Sequence, residues 1–327
     1  MSRLLVEGVW RPDTDGAVAL AGQRAEAGQF RSVVGGVEFP AEPLRYHLFV
    51  SHSCPFAHRT LIARALKSLD DLVPISIVHP RWNSNDGWKF GDTPLSTPDR
   101  SGEDFSHLHQ AYTKSRPGLT ARVTVPVLWD TRTRQIVNNE SLDIVRMFDT
   151  AFEAVKPSEI SLMPLGDHAE SDALAARIAT DLSIAVYKAG GARGQANFDE
   201  VLDRIFALLD ELEDRLSDGR AYLLGSELRI PDIVAFTPLV RFDAVYNPLF
   251  RISLRRLVDY PYLRDYVRRI WDIPAVRDTV RFDHILPHYH DGDWGVADRT
   301  ILPPLPAVDF RSAPRPEAIS TKPLAPT

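Results

Sequence analysis

The sequence contains very little sulfur. Cys54 is the only cysteine among 327 residues, and methionine occurs three times. A single thiol excludes an intrachain disulfide framework and the cysteine-rich kinds of zinc site. No apolar run approaches the roughly 18 residues that a membrane-spanning helix requires. Glu7 and Arg11 interrupt the apolar N-terminal residues, so a signal-peptide core is missing as well. We therefore expect a cytoplasmic protein with no membrane partner.

An excess of positive charge is also absent. The chain has 38 Lys and Arg residues against 44 Asp and Glu residues, which gives a formal net charge of -6. This balance provides no basic surface for nucleic acid, so we expect no nucleic-acid partner. The remaining composition, with 44% hydrophobic and 25% charged residues, is that of an ordinary globular protein, and the length allows two packed domains.

The lone cysteine lies between a predicted strand and a predicted helix. "RYHLFV" (45–50) is an aromatic and aliphatic run typical of a strand, and apolar residues after Cys54 recur at helical spacing. Pro55 suits the first position of a helix, because its missing N–H has no helical partner to lose. Cys54 is therefore predicted at a helix N-terminus, where unpaired N–H groups favour a thiolate. A lone cysteine is usually a buried structural residue, but this context favours a reactive thiol.

The sequence pattern changes along the chain in a way that predicts two domains. The N-terminal residues lack clear periodicity and are predicted to form an irregular arm. Strands and helices then alternate, which indicates an α/β fold with a mixed sheet. After a linker the periodicity is helical, and seven prolines follow residue 300. The predicted segments are an extension (1–44), an α/β domain (45–150), a linker (151–164), an all-α domain (165–290) and a proline-rich tail (291–327).

Within these domains, several individual elements can be predicted. "RVTVPVLWD" (122–130) has the pattern of a strand, and "NFDEVLDRIFALLDELEDRLSDG" (197–219) has one apolar face and ends at a glycine, as a long helix should. Apolar spacing predicts further helices near 168–188, 232–247, 261–272 and 274–285.

Two motifs of the α/β domain are suited to binding a peptide-like ligand. Val125 and Pro126 lie inside a strand pattern, where proline is expected at an edge, at a bulge or in a cis turn. A cis bond would turn the amide and carbonyl of Val125 outward, where an extended peptide can pair with them. Glu140 and Ser141 begin a predicted helix, whose free N–H groups and hydroxyl can receive a carboxylate. Taken alone, an edge-strand proline and simple helix capping also explain these motifs.

Three histidines near the end of the all-α domain have a spacing that suggests a metal site. They are His284, His288 and His290. We expect Pro287 to interrupt the helix that would align them, and no acidic or cysteine partner is evident. The sequence therefore predicts no metal.

Together, the cysteine at one helix start, the Val-Pro strand and the Glu-Ser helix start are similar to the glutathione site of a thioredoxin-like domain. With an all-α second domain they resemble the plan of the glutathione transferase superfamily. The chain resembles one branch in particular over roughly residues 4–290, the glutathionyl-hydroquinone reductases or Xi-class glutathione transferases. The resemblance rests on "FPAEPLRYHLFVSHSCPFAHRTLI", "GW" (87–88), "RVTVPVLWD", "IVNNESLDIVRMF", "VYKAG", "LVRFDAVYNPLF" and "RFDHILPHY".

This resemblance implies an activity and a set of site residues. The family removes glutathione from S-glutathionyl-hydroquinones and releases hydroquinone and glutathione disulfide, and its members are expected to be homodimers. Cys54 then resembles the nucleophile, and Tyr187 and Tyr289 resemble the tyrosines on the substrate side. The residues implied to bind glutathione are Trp88, Arg122, Val125, Pro126, Glu140 and Ser141.

The chain departs from the family pattern around the aromatic substrate. Phe56 stands where the family usually has Trp, Gly191 stands where it usually has Phe, and the final "HYY" reads "HYH". These departures affect the expected specificity, and they leave Cys54 unchanged.

The single cysteine also restricts the mechanism. Ala57 occupies the position where a dithiol oxidoreductase carries its second cysteine, so no internal thiol can resolve a mixed disulfide. Cys54 must be released by an external thiol. Two alternatives remain open, a general omega-like thiol transferase or dehydroascorbate reductase, and a catalytically silent binding protein on the same fold.

Overall fold

The first half of the chain forms a four-stranded mixed sheet covered by helices. The computed structural model describes residues 4–11, 30–82, 87–163, 168–291 and 302–312. The strands of the main sheet are β3 (Tyr46–Val50), β4 (Ile75–Ile77), β6 (Val127–Asp130) and β7 (Gln135–Asn138). They pair in the order β4–β3–β6–β7. β3 is parallel to β4, whereas β6 is antiparallel to both β3 and β7.

Three helices accompany this sheet, and one of them is almost entirely buried. They are α1 (Pro55–Leu66), α2 (His109–Ser115) and α3 (Ser141–Thr150). α1 packs against α3 and also against helices of the second half of the chain. Ten of its 12 residues are buried, including polar ones. Its weak amphipathic pattern follows from this position, because a helix covered on all sides has no solvent face.

The sequence predicted an irregular N-terminal arm, but part of this segment forms regular strands. β1 (Leu4–Val6) and β2 (Val9–Arg11) form a hairpin, and β1 also pairs with β5 (Ala121–Arg122). The two loop residues have positive φ angles, 50° at Glu7 and 77° at Gly8. Positive φ at both positions is what the favoured two-residue hairpin turn requires, and glycine adopts it readily. The short "EG" between two apolar triplets was the available signal.

The strand predicted over residues 122–130 is divided between two sheets. β5 belongs to the small three-stranded sheet and β6 to the main sheet. The residues between them form no strand, and the Val125–Pro126 peptide bond is cis. Proline has no N–H for a ladder hydrogen bond, which explains why regular pairing begins only at Val127.

The second half of the chain is helical in its described parts. Its α-helices are α4 (Ala169–Ile178), α5 (Ala185–Gly190), α6 (Gln195–Leu216), α7 (Ile230–Leu239), α8 (Asn247–Leu249), α9 (Pro261–Trp271), α10 (Pro274–Arg277) and α11 (Phe282–His290). Two π-helical segments (Ala179–Ile184 and Phe242–Tyr246) and a 3₁₀ turn (Leu257–Asp259) interrupt them. No helix in the described ranges is both long and apolar enough to cross a membrane.

Three of the predicted helices differ from the observed ones. The helix predicted at 168–188 contains the π-helical segment Ala179–Ile184, and the one predicted at 232–247 ends in the π-helical segment Phe242–Tyr246. A π-turn inserts a residue without ending the helix, so apolar spacing does not reveal it. The helix predicted at 274–285 is wrong, because α10 ends at Arg277 and α11 begins at Phe282.

The described part of the tail is docked on the helices. Residues 302–312 are described, and Phe310 among them is buried. Its ring packs against Trp271 with centroids 5.6 Å apart, and its carbonyl accepts a hydrogen bond of 2.6 Å from Arg268 Nε. The rest of the predicted proline-rich tail lies outside the described residues.

A buried carboxylate fixes the start of α7. Asp232 accepts hydrogen bonds from the backbone N–H of Arg229 (2.8 Å), from the N–H of Leu223 (2.9 Å) and from the Tyr266 hydroxyl (2.9 Å). Its side chain is fully buried. It therefore ties the loop before α7 to α9 at a place that is closed to solvent.

We expect Asp232→Ala to lower the free energy of unfolding by about 3 kcal/mol, because two buried donors and one partly buried donor lose their acceptor. Urea denaturation measures this change. Asp259→Ala is the matched control, since Asp259 caps the 3₁₀ turn through the Arg256 N–H in the same way but is 40% exposed. Water can replace Asp259, so we expect a loss below about 1 kcal/mol. Equal losses in the two variants would contradict this account.

Candidate active site

Cys54 is the N-cap residue of α1. Its backbone is extended (φ -75°, ψ 122°), and its carbonyl accepts the first helical hydrogen bond from His58 N–H at 2.9 Å. The thiol is partly exposed and points to the Val125 carbonyl, with 3.6 Å between Sγ and the oxygen. The predicted position of Cys54 at a helix start is confirmed.

Opposing influences act on the Cys54 thiol. Burial raises its pKa, and this is the largest influence. The backbone N–H groups of Ala57 and Phe56 and the charges of Arg241 and Arg59 act in the opposite direction and lower it. The N–H groups of the helix start thus favour the thiolate, as expected from the sequence, but burial outweighs them and the net direction of the pKa is upward. The two buried guanidinium groups act in the same direction as the N–H groups.

Val125 presents a free backbone edge beside the thiol. Its carbonyl faces Cys54, and no hydrogen bond within the described residues uses its N–H. An N–H and a carbonyl at the end of an irregular segment can pair with an extended peptide as an added strand does. Among the three situations expected for Pro126 (an edge, a bulge or a cis turn), the structure shows a cis bond between Val125 and Pro126.

The start of α3 carries the second predicted group. Glu140 is the N-cap residue, and no side chain caps the N–H groups of the first turn. Ser141 Oγ lies 3.4 Å from Glu140 Oε1 and accepts a hydrogen bond from Arg59 Nη1, also at 3.4 Å. Arg59 Nη2 donates to Ser183 Oγ at 2.7 Å, which connects α3 to the helical half. This helix start keeps both free N–H groups and a hydroxyl for a carboxylate.

Trp88 and Arg122 lie at two different places. The ring of Trp88 is buried and stacks on His288 of α11, with centroids 5.7 Å apart and planes at 14°. Arg122 lies in β5, where its backbone pairs with Leu4. Its side chain is exposed and forms no ion pair with a described residue. Trp88 therefore adjoins the helix that carries Tyr289, while Arg122 offers a free cation three residues before Val125.

Three tyrosine hydroxyls from three separate segments meet on the helical side. The hydroxyl oxygens of Tyr187 and Tyr289 are 2.5 Å apart, and that of Tyr246 lies 3.4 Å from Tyr289. Phe56, two residues after the cysteine, stacks on Tyr187 with centroids 6.4 Å apart. The pKa values of Tyr187 and Tyr246 are raised in part by the charge of Cys54, which places the cluster beside the thiol.

Burial keeps all three phenols protonated. It raises the pKa of Tyr187 and of Tyr289 well above 10 and also raises that of Tyr246. Phe250 packs against all three rings, at centroid distances of 5.6 to 6.1 Å. A side chain at Gly190 would approach the Phe250 ring to 2.6 Å, so glycine is required there. The site can therefore donate hydrogen bonds from neutral phenols next to a thiol.

The structure adds residues that the sequence had not singled out. Tyr246 lies in the motif "LVRFDAVYNPLF", but nothing local distinguishes it from a core tyrosine. Arg59 and Arg241 are fully buried, and both lower the pKa of the Cys54 thiol. Residue type does not distinguish a buried arginine from an exposed one, because burial depends on the tertiary structure.

The reason given for excluding a histidine metal site needs a correction. Pro287 does not interrupt the helix, because α11 runs from Phe282 to His290 through it. The ring nitrogens instead contact carbonyls, His288 Nδ1 that of Pro80 at 2.7 Å and His290 Nε2 that of Ala244 at 3.4 Å. In the described parts of the chain, no group of three or more His, Cys, Asp or Glu residues is placed to hold a metal ion.

Comparison with known families agrees with this arrangement. The family model of the glutathione S-transferase N-terminal domain matches residues 53–151, and that of the glutathione S-transferase C-terminal domain matches residues 195–269. Together these models cover the segment that begins beside Cys54 and much of the helical half. The chain belongs to the glutathione S-transferase family of enzymes.

Individual relatives narrow this assignment. The chain is 37% identical over 319 residues to glutathionyl-hydroquinone reductase PcpF of Sphingobium chlorophenolicum, which covers 94% of this chain and 99% of that protein. The structure of this chain is similar to that of a Xi class glutathione transferase from Natrialba magadii, with a TM-score of 0.89 and 37% sequence identity. The match covers 96% of this chain and 97% of that one. The structure is also similar to glutathione-bound YqjG from Escherichia coli K-12 (TM-score 0.85, 36% identity, 95% and 98%). Within the family, the chain is a member of the Xi-class glutathionyl-hydroquinone reductases.

Incubation with glutathione disulfide should attach one glutathione to each chain at Cys54, as measured by intact mass. The adduct should accumulate because the chain has no second cysteine to resolve it. Ala57→Cys is the informative variant, since it supplies a thiol one helical turn away, and its adduct should be replaced by an internal disulfide. If the wild-type chain stays unmodified while Cys54 still reacts with an alkylating agent, the assignment of this site fails.

Proposed function

We propose that this protein is a glutathione-dependent reductase that removes glutathione from S-glutathionyl-hydroquinones through a mixed disulfide at Cys54. The observation that carries the proposal is the juxtaposition of one thiol at a helix start with three neutral phenols. A thiol can take the glutathionyl sulfur, and phenols suit the oxygens of a hydroquinone. The names of the relatives support the same reaction.

The first half of the reaction transfers a glutathionyl group to the enzyme. The Cys54 thiolate attacks the glutathionyl sulfur, a sulfur–sulfur bond forms, and the bond between that sulfur and the ring carbon breaks. The electrons of the broken bond remain with the ring, and a proton must reach the ring carbon. The products are the hydroquinone and a Cys54–glutathione disulfide.

The tyrosine cluster is proposed to serve the aromatic half of this step. Tyr187 and Tyr289 are the residues that we assign to hydrogen bonds with the phenolic oxygens and to the movement of the proton. Their raised pKa values support a role as donors, because both remain protonated at neutral pH. Tyr246, within hydrogen-bond distance of Tyr289, completes the cluster.

The second half of the reaction needs an external thiol. A glutathione thiolate attacks the mixed disulfide, which releases glutathione disulfide and regenerates the Cys54 thiolate. We assign the peptide of glutathione to the Val125 backbone and its carboxylates to the α3 start at Glu140 and Ser141 and to Arg122. Trp88 and Pro126 are proposed to shape the same pocket. The glutathione-bound structure of YqjG supports glutathione as the cosubstrate.

A homodimer, a cytoplasmic location and the domain boundaries given above stay predictions. Size-exclusion chromatography with light scattering would test the homodimer directly.

Cys54→Ser should abolish the release of hydroquinone from a glutathionyl-hydroquinone in the presence of glutathione. A serine hydroxyl is far too weakly acidic to replace the thiolate at neutral pH. Chromatographic detection of free hydroquinone measures the reaction, and circular dichroism checks the fold. More than a few per cent of residual activity would refute the role of Cys54. If the wild-type protein does not convert the glutathionyl-hydroquinone but does reduce glutathione mixed disulfides, it is an omega-like thiol transferase.

Tyr187→Phe and Tyr289→Phe should affect the aromatic half of the reaction and spare the thiol half. Each lost hydroxyl should lower turnover of a glutathionyl-hydroquinone by roughly 10- to 1000-fold, the range for positioned proton-transfer groups. Reduction of a small glutathione mixed disulfide needs only Cys54 and the peptide site, so it should change by less than about threefold.

Tyr262→Phe is the control, because this tyrosine is half-buried like Tyr187 but lies on α9. We expect it to leave both activities unchanged. If the two cluster variants behave like this control, the pocket does not serve a hydroquinone, and the departures at Phe56 and Gly191 have rebuilt it for another substrate.

A further inference from the structure

Arg241 connects the two halves of the chain directly behind the thiol. It lies just after α7 and is fully buried. Its Nε donates to the Ser53 carbonyl at 3.2 Å, and its Nη2 donates to the His52 carbonyl at 3.1 Å. These are the two residues immediately before Cys54. The guanidinium therefore holds the loop that leads into the N-cap position.

The remaining contacts of Arg241 are also neutral. Nη1 donates to the Thr237 carbonyl at 2.7 Å and to His58 Nδ1 at 3.0 Å. No carboxylate of the described residues forms an ion pair with it. A buried cation normally has an anionic partner, because the loss of hydration is otherwise poorly compensated. Its four contacts engage four of the five N–H groups without neutralising the charge.

The tautomer of His58 follows from its two partners. Its Nε2 lies 2.8 Å from Thr279 Oγ1, and the Thr279 hydroxyl donates to the Val276 carbonyl at 2.6 Å. The hydroxyl proton is thus engaged, so His58 Nε2–H donates to Thr279 and Nδ1 remains an acceptor for Arg241. Burial lowers the pKa of His58 well below 6.5, which keeps the ring neutral. Hydrogen bonds from Arg241 to His58, and from His58 to Thr279, thus hold the guanidinium on the side away from the loop carbonyls.

The titratable groups around Arg241 come from every element packed against it. They are His52, Cys54 and His58 from the first half and Tyr246, His288 and Tyr289 from the second. Burial lowers the pKa of His52 to about 3 and that of His288 to about 4, so both rings are neutral. Among these groups Cys54 has the lowest ordinary pKa for becoming an anion. Arg59 is a second cation that lowers the pKa of the thiol.

We propose that Arg241 is a positioning residue that holds the loop before Cys54 and supplies the buried positive charge for the Cys54 thiolate. The anion that this guanidinium lacks in the thiol form is the Cys54 thiolate, which attacks the glutathionyl sulfur. The same charge favours ionised phenols at Tyr246 and Tyr289, so it also reaches the proton-donating side of the site. The inference rests on the proposed function for its consequence in turnover, but not for its effect on the thiol.

Two variants separate the charge of Arg241 from its contacts. Arg241→Gln keeps donors for the loop carbonyls but removes the charge, whereas Arg241→Lys keeps the charge but has fewer donors. The rate of Cys54 alkylation by iodoacetamide across pH gives the thiol pKa and requires no hydroquinone. A wild-type protein inactive towards glutathionyl-hydroquinones would therefore refute the proposed function without affecting this test.

We expect the thiol pKa to rise by about one pH unit or more in Arg241→Gln, the effect of losing a nearby opposite charge. In Arg241→Lys it should stay within about half a unit of wild type. Turnover of a glutathionyl-hydroquinone in Arg241→Lys should fall at least about tenfold with little change in the KM for glutathione, because the loop is less well held.

Arg45→Gln is the matched control for the loss of a buried arginine. Arg45 forms an ion pair with Asp130 at 2.7 Å. It precedes β3, whereas the loop that leads to the thiol follows β3, and Arg45 is not among the charges that shift the pKa of Cys54. We expect this variant to lower thermal stability and leave the thiol pKa unchanged. An unchanged thiol pKa in folded Arg241→Gln would overturn the proposal. If that variant does not fold, a thiol pKa one unit higher in Arg241→Lys, or unchanged turnover in it, would overturn the proposal equally.

Discussion

Helix α1 is covered by protein on nearly every side, so each polar side chain on it must find its partner inside the molecule. His58 donates to Thr279 of the helical half, and Arg59 donates both to Ser141 at the start of α3 and to Ser183 of the helical half. These hydrogen bonds span the junction between the two halves. The helix that carries Cys54 at its first turn is therefore fixed to both, and the position of the thiol depends on them.

The site combines two kinds of helix irregularity. The thiol of Cys54 and two of the residues assigned to glutathione, Glu140 and Ser141, lie at helix starts, where backbone N–H groups have no partner within the helix. Two of the three tyrosines lie at π-helical segments, since Tyr187 follows Ala179–Ile184 closely and Tyr246 ends Phe242–Tyr246. A π-turn rotates the residues after it relative to the preceding helix face, which lets a core helix direct a polar side chain into a cavity. The third tyrosine, Tyr289, comes from the α-helix α11.

The parts of this arrangement that could be predicted from the sequence have local signals. Pro55 after Cys54, Pro126 after Val125 and the polar pair at Glu140 each mark a turn or a helix start through properties of one or two residues. The three-tyrosine cluster and the unpaired charge of Arg241 depend on segments far apart in sequence, and no local pattern encodes such a meeting. The raised pKa of Cys54 also escaped prediction, because burial is a property of the folded molecule.

The small three-stranded sheet has a consequence for how the chain is made. The hairpin β1–β2 is synthesised long before β5, the strand with which β1 finally pairs. A two-stranded hairpin of this length is marginally stable by itself in water. The edge of β1 with Leu4 and Leu5 therefore gains its partner only when β5, beside the glutathione-binding segment, is available. The three-stranded sheet next to the site can thus be completed only after β5, which lies much later in the sequence than β1, has been synthesised.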